Sequence, residues 1–291
     1  MTRVGSKSPV AGIGEQGLVP EFPPRPTFAQ RIQRAHDLAE AHPSASEILN
    51  FYARLAFHQQ HVFDCLHDSA KTSEILSSND KWPLAIDLLL PHFPGFARSV
   101  AQIAPPPMSA RASELAAADS AEPTLLLTNF WVDRLPEEEF ASPADRCIAM
   151  SFLQPYAELL ASLREPPPVA SSPGICPVCG SEPVCGVLRD RGHGAGRSLV
   201  CSLCMTEWSF LRVVCPACGE DRFESLPVFT SEHFPQVRID ACDTCLHYLI
   251  TVDMTKDGLA IPAVDELAGV TLDLWASERG YRRRTRNLVG F

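Results

Sequence analysis

The sequence predicts a protein of the α plus small β class. An N-terminal all-helical domain is followed by two tandem four-cysteine modules of the rubredoxin-like or zinc-ribbon kind and a C-terminal helix. Three observations predict this. Helical periodicity, punctuated by prolines, runs from near Thr27 to about residue 164 with almost no strand alternation. A Pro- and Ser-rich stretch, 165–174, reads as a linker. Beyond it, eight of the eleven cysteines fall in four Cys-x-x-Cys pairs. The predicted division is a flexible N-terminus (1–25), a helical domain (26–164), the linker, a first ribbon (175–212), a second ribbon (213–252), and a C-terminal helix with a basic tail (253–291).

In the first half, Phe28, Ile32, Ala35 and Ala39 recur on one helical face, and Pro43 ends that segment. Ser44 followed by Glu47 forms a capping-box pattern ahead of Ile48, Leu49, Tyr52, Leu55, Val62 and Leu66, which predicts a long helix from about Ser46 to Ser69. Shorter helices are expected over 84–90, 96–103, 109–118, 123–135 and 144–164, the last containing Pro155 as a candidate kink. His58, His61, Cys65 and His67 lie close together on the long helix, but no carboxylate completes a metal triad, so they read as packing or solvated polar residues. Cys65 and Cys147 read as small buried hydrophobes. No phosphate loop, nucleophile elbow or other catalytic constellation is visible in this half.

Composition narrows the function. Hydrophobic residues make up 45% of 291, enough for a packed core. The net charge of −10 makes nucleic acid and anionic membrane poor partners. No signal-like leader and no apolar run of about 18 residues is seen, so membrane insertion is not expected and the expected compartment is the cytoplasm. In that reducing setting, regularly spaced cysteines read as metal ligands rather than disulfides.

The candidate ligands are Cys176, Cys179, Cys201, Cys204, Cys215, Cys218, Cys242 and Cys245. Two cysteines separated by two residues form a knuckle that turns both sulfurs to one point. Two knuckles supply a tetrahedron of thiolates at about 2.3 Å from a divalent ion. An internal duplication favours tandem pairing: Cys176-Pro-Val-Cys179-Gly180 opens the first unit and Cys215-Pro-Ala-Cys218-Gly219 the second. The first unit closes at Cys201 and Cys204 before Trp208, the second at Cys242 and Cys245 before Tyr248. A crossed pairing of the two middle knuckles remains open at this stage. So does the metal, because iron and zinc both accept four thiolates. Eight thiolates holding two divalent ions deepen the formal charge from −10 to −14. Cys185 is left over and reads as a packed or partly exposed thiol, and His193 as a solvated loop residue. The final helix is expected over 263–277, with Asp265, Glu266 and Asp273 as its acidic positions, and the run 281–286 reads as a solvated basic terminus.

At these residues the chain resembles the FdhE family of bacterial formate dehydrogenase accessory (formation) proteins. The resemblance rests on Cys176-Pro-Val-Cys179-Gly180, Cys201-Ser-Leu-Cys204, Arg212-Val-Val-Cys215-Pro-Ala-Cys218-Gly219, Val237-Arg-Ile-Asp240-Ala-Cys242-Asp-Thr-Cys245, Val264-Asp-Glu-Leu267 and Glu278-Arg-Gly-Tyr281. It continues more loosely over 31–43 and 51–59. It implies a cytoplasmic, non-catalytic assembly factor that acts on the catalytic subunit of respiratory formate dehydrogenase, with iron associated with the family's cysteine knuckles. Two other classes compete with it: a rubredoxin-like redox protein or sensor using iron, and a nucleic-acid-binding ribbon, which the charge disfavours. Arg212, Asp240 and the acidic positions near 265 are the candidate partner contacts.

Overall fold

A computed structural model describes residues 2–3, 24–69, 82–133, 142–163, 174–190, 192 and 194–288. The expectations for 4–23, for 165–173 and for His193 lie outside the described residues.

The helical part begins with α1 (Phe28–Ala41). Thr27 and Gln30 cap it reciprocally: the Gln30 amide donates to Thr27 Oγ1 (3.2 Å) and the Thr27 amide to Gln30 Oε1 (2.9 Å). The capping box expected at Ser44 and Glu47 does not form. A short 3₁₀ turn over Pro43–Ala45 leads into α2 (Ser46–His67), and the Ser46 hydroxyl turns back to the Pro43 carbonyl. Next come α3 (Ile86–Leu89), α4 (Phe93–Ile103), α5 (Pro106–Ala117) and α6 (Ala121–Asp133). Helix α7 (Pro143–Ser162) is the axis of this unit, buried along almost its whole length. The core closes through apolar packing of Tyr156, Phe93, Phe152 and Leu55, with Trp82 stacked on Trp131 at 5.7 Å.

Helix α1 buries a residue that its apolar pattern did not mark. Arg31 is 3% exposed and makes a bidentate pair with Glu158 of α7, at 2.8 and 2.5 Å, while Ile32 and Ala39 are only half-buried. Burial opposes the charge on Arg31, but Glu158 outweighs it and holds the guanidinium firmly protonated. The same pair surrounds Tyr52, whose hydroxyl burial pushes up to about 12.

The cysteine half, joined at one edge by the N-terminal strand, forms one continuous eight-stranded sheet. Its strands are β1 (Thr2–Arg3), β2 (Pro183–Asp190), β3 (Ala195–Cys201), β4 (Glu207–Phe210), β5 (Val228–Ser231), β6 (Phe234–Ala241), β7 (His247–Asp253) and β8 (Arg282–Arg283). Strands β2, β3 and β4 make one antiparallel meander, and β5, β6 and β7 another. The two are spliced by a parallel pairing of β2 with β7, Gly186 opposite Thr251 and Leu188 opposite Asp253. A Cβ on Gly186 would stand 2.4 Å from Thr251 Oγ1, so glycine permits this approach.

The C-terminal segment departs from expectation in two ways. The single helix over 263–277 is two, α8 (Pro262–Ala268) and α9 (Val270–Glu278), divided at Gly269. A Cβ at Gly269 would lie 3.1 Å from the Glu266 carbonyl oxygen and 3.2 Å from the Val237 side chain, so the chain turns where it presses closest to the sheet. Nor is the basic run wholly a solvated terminus, although Arg282 and Arg286 are exposed. The Arg283 side chain is buried, pairs with Glu266, and donates to Asp273 at 2.8 Å; Tyr248 also donates to Asp273, at 2.7 Å. The acidic positions of the helices are therefore interior ion-pair partners rather than a solvated face.

Replacing Arg31 by Met leaves Glu158 as an uncompensated buried charge and should cost about 3–5 kcal/mol in chemical denaturation. The double change Arg31→Met with Glu158→Leu should recover most of that loss. A double variant no more stable than the single one would show that the pair itself supports the core.

Candidate metal centres

Each of the four Cys-x-x-Cys segments makes the same turn. The amide of the first cysteine donates to the carbonyl five residues on: Cys176 to Ser181 (2.9 Å), Cys201 to Thr206 (2.9 Å), Cys215 to Glu220 (2.8 Å) and Cys242 to His247 (2.9 Å). The residue after the second cysteine then takes a left-handed conformation, with φ of 78° at Gly180, 55° at Met205, 79° at Gly219 and 59° at Leu246. The two glycines advertise this requirement. Met205 and Leu246 meet it without any such signal, which is why sequence reasoning passed over them.

The turns bring the sulfurs together in tandem pairs. Cys176 Sγ lies 3.6 Å from Cys204 Sγ, and Cys179 Sγ 3.3 Å from Cys201 Sγ. In the second cluster Cys215 is 3.7 Å from Cys245, and Cys218 is 3.7 Å from Cys242. Within each cluster all four sulfurs lie within 4.8 Å of one another. A tetrahedron with metal–sulfur bonds of about 2.3 Å has edges of roughly 3.8 Å. The donor sets therefore fit a divalent ion, and each cluster could hold one. The crossed arrangement of the middle knuckles is not the one formed.

In each cluster one thiol is shifted toward its charged form. Burial opposes ionisation of Cys179, but hydrogen bonds from Cys176, Cys201, Cys204 and Ser181 outweigh it and hold its thiol well below the ordinary range. Burial pushes Cys201 and Cys204 well above that range. In the second cluster Cys218 is the lowered thiol: burial opposes its ionisation, but hydrogen bonds from the Glu220 backbone and from Cys245, Cys242 and Cys215 together outweigh it. A divalent cation inverts this balance, drawing all four to the thiolate form and releasing protons as it binds.

The clusters differ in setting. Cys176, Cys179, Cys201 and Cys204 are 2%, 4%, 0% and 0% exposed and belong to the apolar core shared with the helices. In the second, Cys215 and Cys242 are buried, Cys245 is half-buried and Cys218 is exposed.

The first cluster is tied to the helical unit by a buried amide relay. Pro155 has no amide hydrogen to give the Ser151 carbonyl one turn back in α7. Gln59 of α2 supplies it instead: its Nε2 donates to Ser151 O (2.8 Å) and to Gln154 Oε1 (3.0 Å). Gln154 Nε2 in turn donates to the carbonyl of Ser202, inside the second knuckle (3.1 Å). Arg25 adds a bond to Thr206 Oγ1 at 2.7 Å. Pro155 therefore sits within a continuous helix whose freed carbonyl is used to hold the cluster.

The remaining candidates fall into place. Cys185 is fully buried, and burial raises its thiol well above the ordinary range, so it is an inert core residue. Cys147 is buried. Cys65 is not; it is half-buried at the surface of α2, 3.8 Å from His61 Nε2. Of the candidate partner contacts, Asp240 is enclosed by Arg238 (2.8 Å) and Arg197 (3.2 Å). Asp265 is wholly buried against Arg34 at 2.5 Å. Both are structural, and only Arg212 remains on the surface.

Comparison with known proteins agrees with this architecture. Residues 175–212 match the family model described as FdhE, central domain, and residues 213–289 match FdhE, C-terminal domain. A protein called Protein FdhE homolog in Stutzerimonas stutzeri is 32% identical over 289 residues, covering 92% of this chain and 90% of the relative. One of the same name in Aquifex aeolicus is 29% identical over 271 residues, covering 89% and 94%. The crystal structure of the FdhE protein from Pseudomonas aeruginosa superposes with a TM-score of 0.68 at 28% identity, covering 94% of this chain and 98% of that one.

Two consequences can be measured. Leu246→Gly relieves a left-handed side chain and should be neutral or stabilising by up to about 1 kcal/mol, whereas β-branched Leu246→Val should destabilise by about 1 kcal/mol or more. Gln154→Leu should cost about 1–3 kcal/mol in thermal or urea melts, because the Ser202 carbonyl loses its buried donor and the Gln59 amide loses one of its two acceptors.

Proposed function

The chain belongs to the FdhE family, and from that membership we propose that it is a non-catalytic assembly factor for respiratory formate dehydrogenase. It binds the immature catalytic subunit in the cytoplasm. The observation that carries this reading is the gathering of eight cysteines into two clusters closed by four sulfurs each. A divalent ion so held has no open position for substrate. The eight cysteines then serve as ligands of two iron or zinc ions that fix the shape of a binding surface. The net charge of −10 suits a protein partner better than nucleic acid. Among the described residues no helix is long and apolar enough to cross a membrane.

A redox role for iron in the same sites is the second reading, and the exposure of Cys218 favours it, since electron transfer needs an accessible ligand edge. Metal analysis and an absorption spectrum of anaerobically purified protein separate the two. About two zinc ions without a visible band fit a passive scaffold. Iron with thiolate charge-transfer bands brings the redox reading forward.

Cells carrying Cys176→Ser or Cys215→Ser as their only copy should lose formate dehydrogenase activity while still making the enzyme's subunits, as read by an activity stain beside an immunoblot. Full activity in both strains would overturn the role of the clusters.

A further inference from the structure

The two clusters repeat one turn and one donor set, yet they lie in different surroundings. Removing an ion from four sulfurs requires an incoming ligand or water to reach one sulfur, and then requires the knuckle carrying it to swing away. Both steps depend on what covers the site. In the first cluster every cysteine is 4% exposed or less. Its second knuckle is fastened by Gln154 to Ser202 and by Arg25 to Thr206, and the sulfurs of both knuckles lie in the common apolar core. It opens only if the junction between helices and sheet opens.

The second cluster is covered only in part: Cys215 and Cys242 are buried and Gly174 packs against Pro216, but the rest of the 215–219 knuckle faces solvent. Cys218 is exposed, as are Ala217 and Gly219 beside it, and the flanking runs 211–213 and 221–224 are exposed too. Two of the bonds that hold this knuckle are its own: Cys215 N to Glu220 O (2.8 Å) and Gly219 N to Cys215 O (3.0 Å). Glu220 is anchored to Thr244 (2.6 Å) and Arg222, both on the surface. The knuckle 215–219 can therefore turn outward while β5, β6 and β7 stay paired.

We infer that the second cluster is an exchange site, which gives up or swaps its ion in the folded protein with Cys218 as the first sulfur to leave, while the first cluster is locked. This rests on the reading that each cluster holds a divalent ion. The ligands it takes are soft or borderline divalent cations, and the groups that take its ion are small thiols or chelators able to reach Cys218 Sγ. In each exchange a metal–sulfur bond is replaced by a bond to the incoming donor, and the freed thiolate takes a proton from solvent. No electrons move.

The test uses the full chain loaded with zinc and counted by native mass spectrometry. It is mixed with excess 4-(2-pyridylazo)resorcinol to follow release by colour. One equivalent should leave at least tenfold faster than the other, with the far-ultraviolet circular dichroism of the helical part unchanged after the first. Iodoacetamide added between the phases, with peptide mapping, should alkylate Cys215, Cys218, Cys242 and Cys245 and spare Cys176, Cys179, Cys201 and Cys204. Release of both ions in a single phase, or labelling of the first cluster before the second, overturns the inference and leaves the two-ion reading standing. A chain that holds fewer than two zinc ions refutes the reading and the inference together.

Discussion

Four sulfurs must converge on one point, and in this protein one of the two points lies inside the hydrophobic core. That constraint organises the molecule. An ion in a structural four-thiolate site contributes on the order of 10–16 kcal/mol, comparable with the ~5–15 kcal/mol stability of a whole domain. An ion bound in the first cluster, at the junction, would lend that energy to the packing of helices on sheet as well as to its own ribbon. The relay that delivers it starts from a defect. Pro155 leaves a carbonyl unpaired in the most buried helix, and Gln59 and Gln154 convert that vacancy into a chain of bonds ending on the knuckle at Ser202. Leaving that carbonyl unmet would be costly, and the side chain that meets it became a fastening.

The ion pairs around this core act as alignment devices. Arg31 to Glu158 registers α1 against α7. Arg34 to Asp265 and Asp257 registers α1 against the far end of the chain. Arg283 with Glu266 and Asp273 sets the last strand against α8 and α9. Buried pairs of this kind add little net stability over apolar packing, but they penalise every misaligned arrangement, since each alternative strands a charge.

Much of this was legible before any coordinates. The spacing of the cysteines and the repeat of Cys-Pro-x-Cys-Gly placed the knuckles, because spacing is a local property and a knuckle is a local turn. The helices were legible by the same logic, with ends displaced by a few residues. What stayed hidden was non-local. Nothing near Gly186 announces a parallel partner at Thr251, and no pattern around 265 or 283 distinguishes a surface charge from a buried one when its counter-ion lies 231 residues away, as Arg34 does from Asp265. Polar patterning marks a helix face as wet by default, and that default failed wherever an arginine reached across the fold. The left-handed Met205 and Leu246 were hidden for a different reason: the turn imposes its geometry on side chains that do not ask for it.

The parallel splice of β2 to β7 has a consequence for how the chain is made. Strand β2 ends at Asp190, but its second neighbour is complete only at Asp253, and Asp265 must follow before α1 finds its last partner. A ribosome releasing this chain from its N-terminus delivers the helices first, then a meander with one side open, and the piece that closes both only near the end. Contacts of such long sequence separation are slow to form because loop-closure entropy must be overcome before they are rewarded. During that interval the first cluster can already gather its four sulfurs, since Cys204 is out well before β7. Ion capture at the first cluster would then precede closure of the sheet and shorten the search that remains. Order of synthesis, rather than affinity, would decide which of the two clusters fills first.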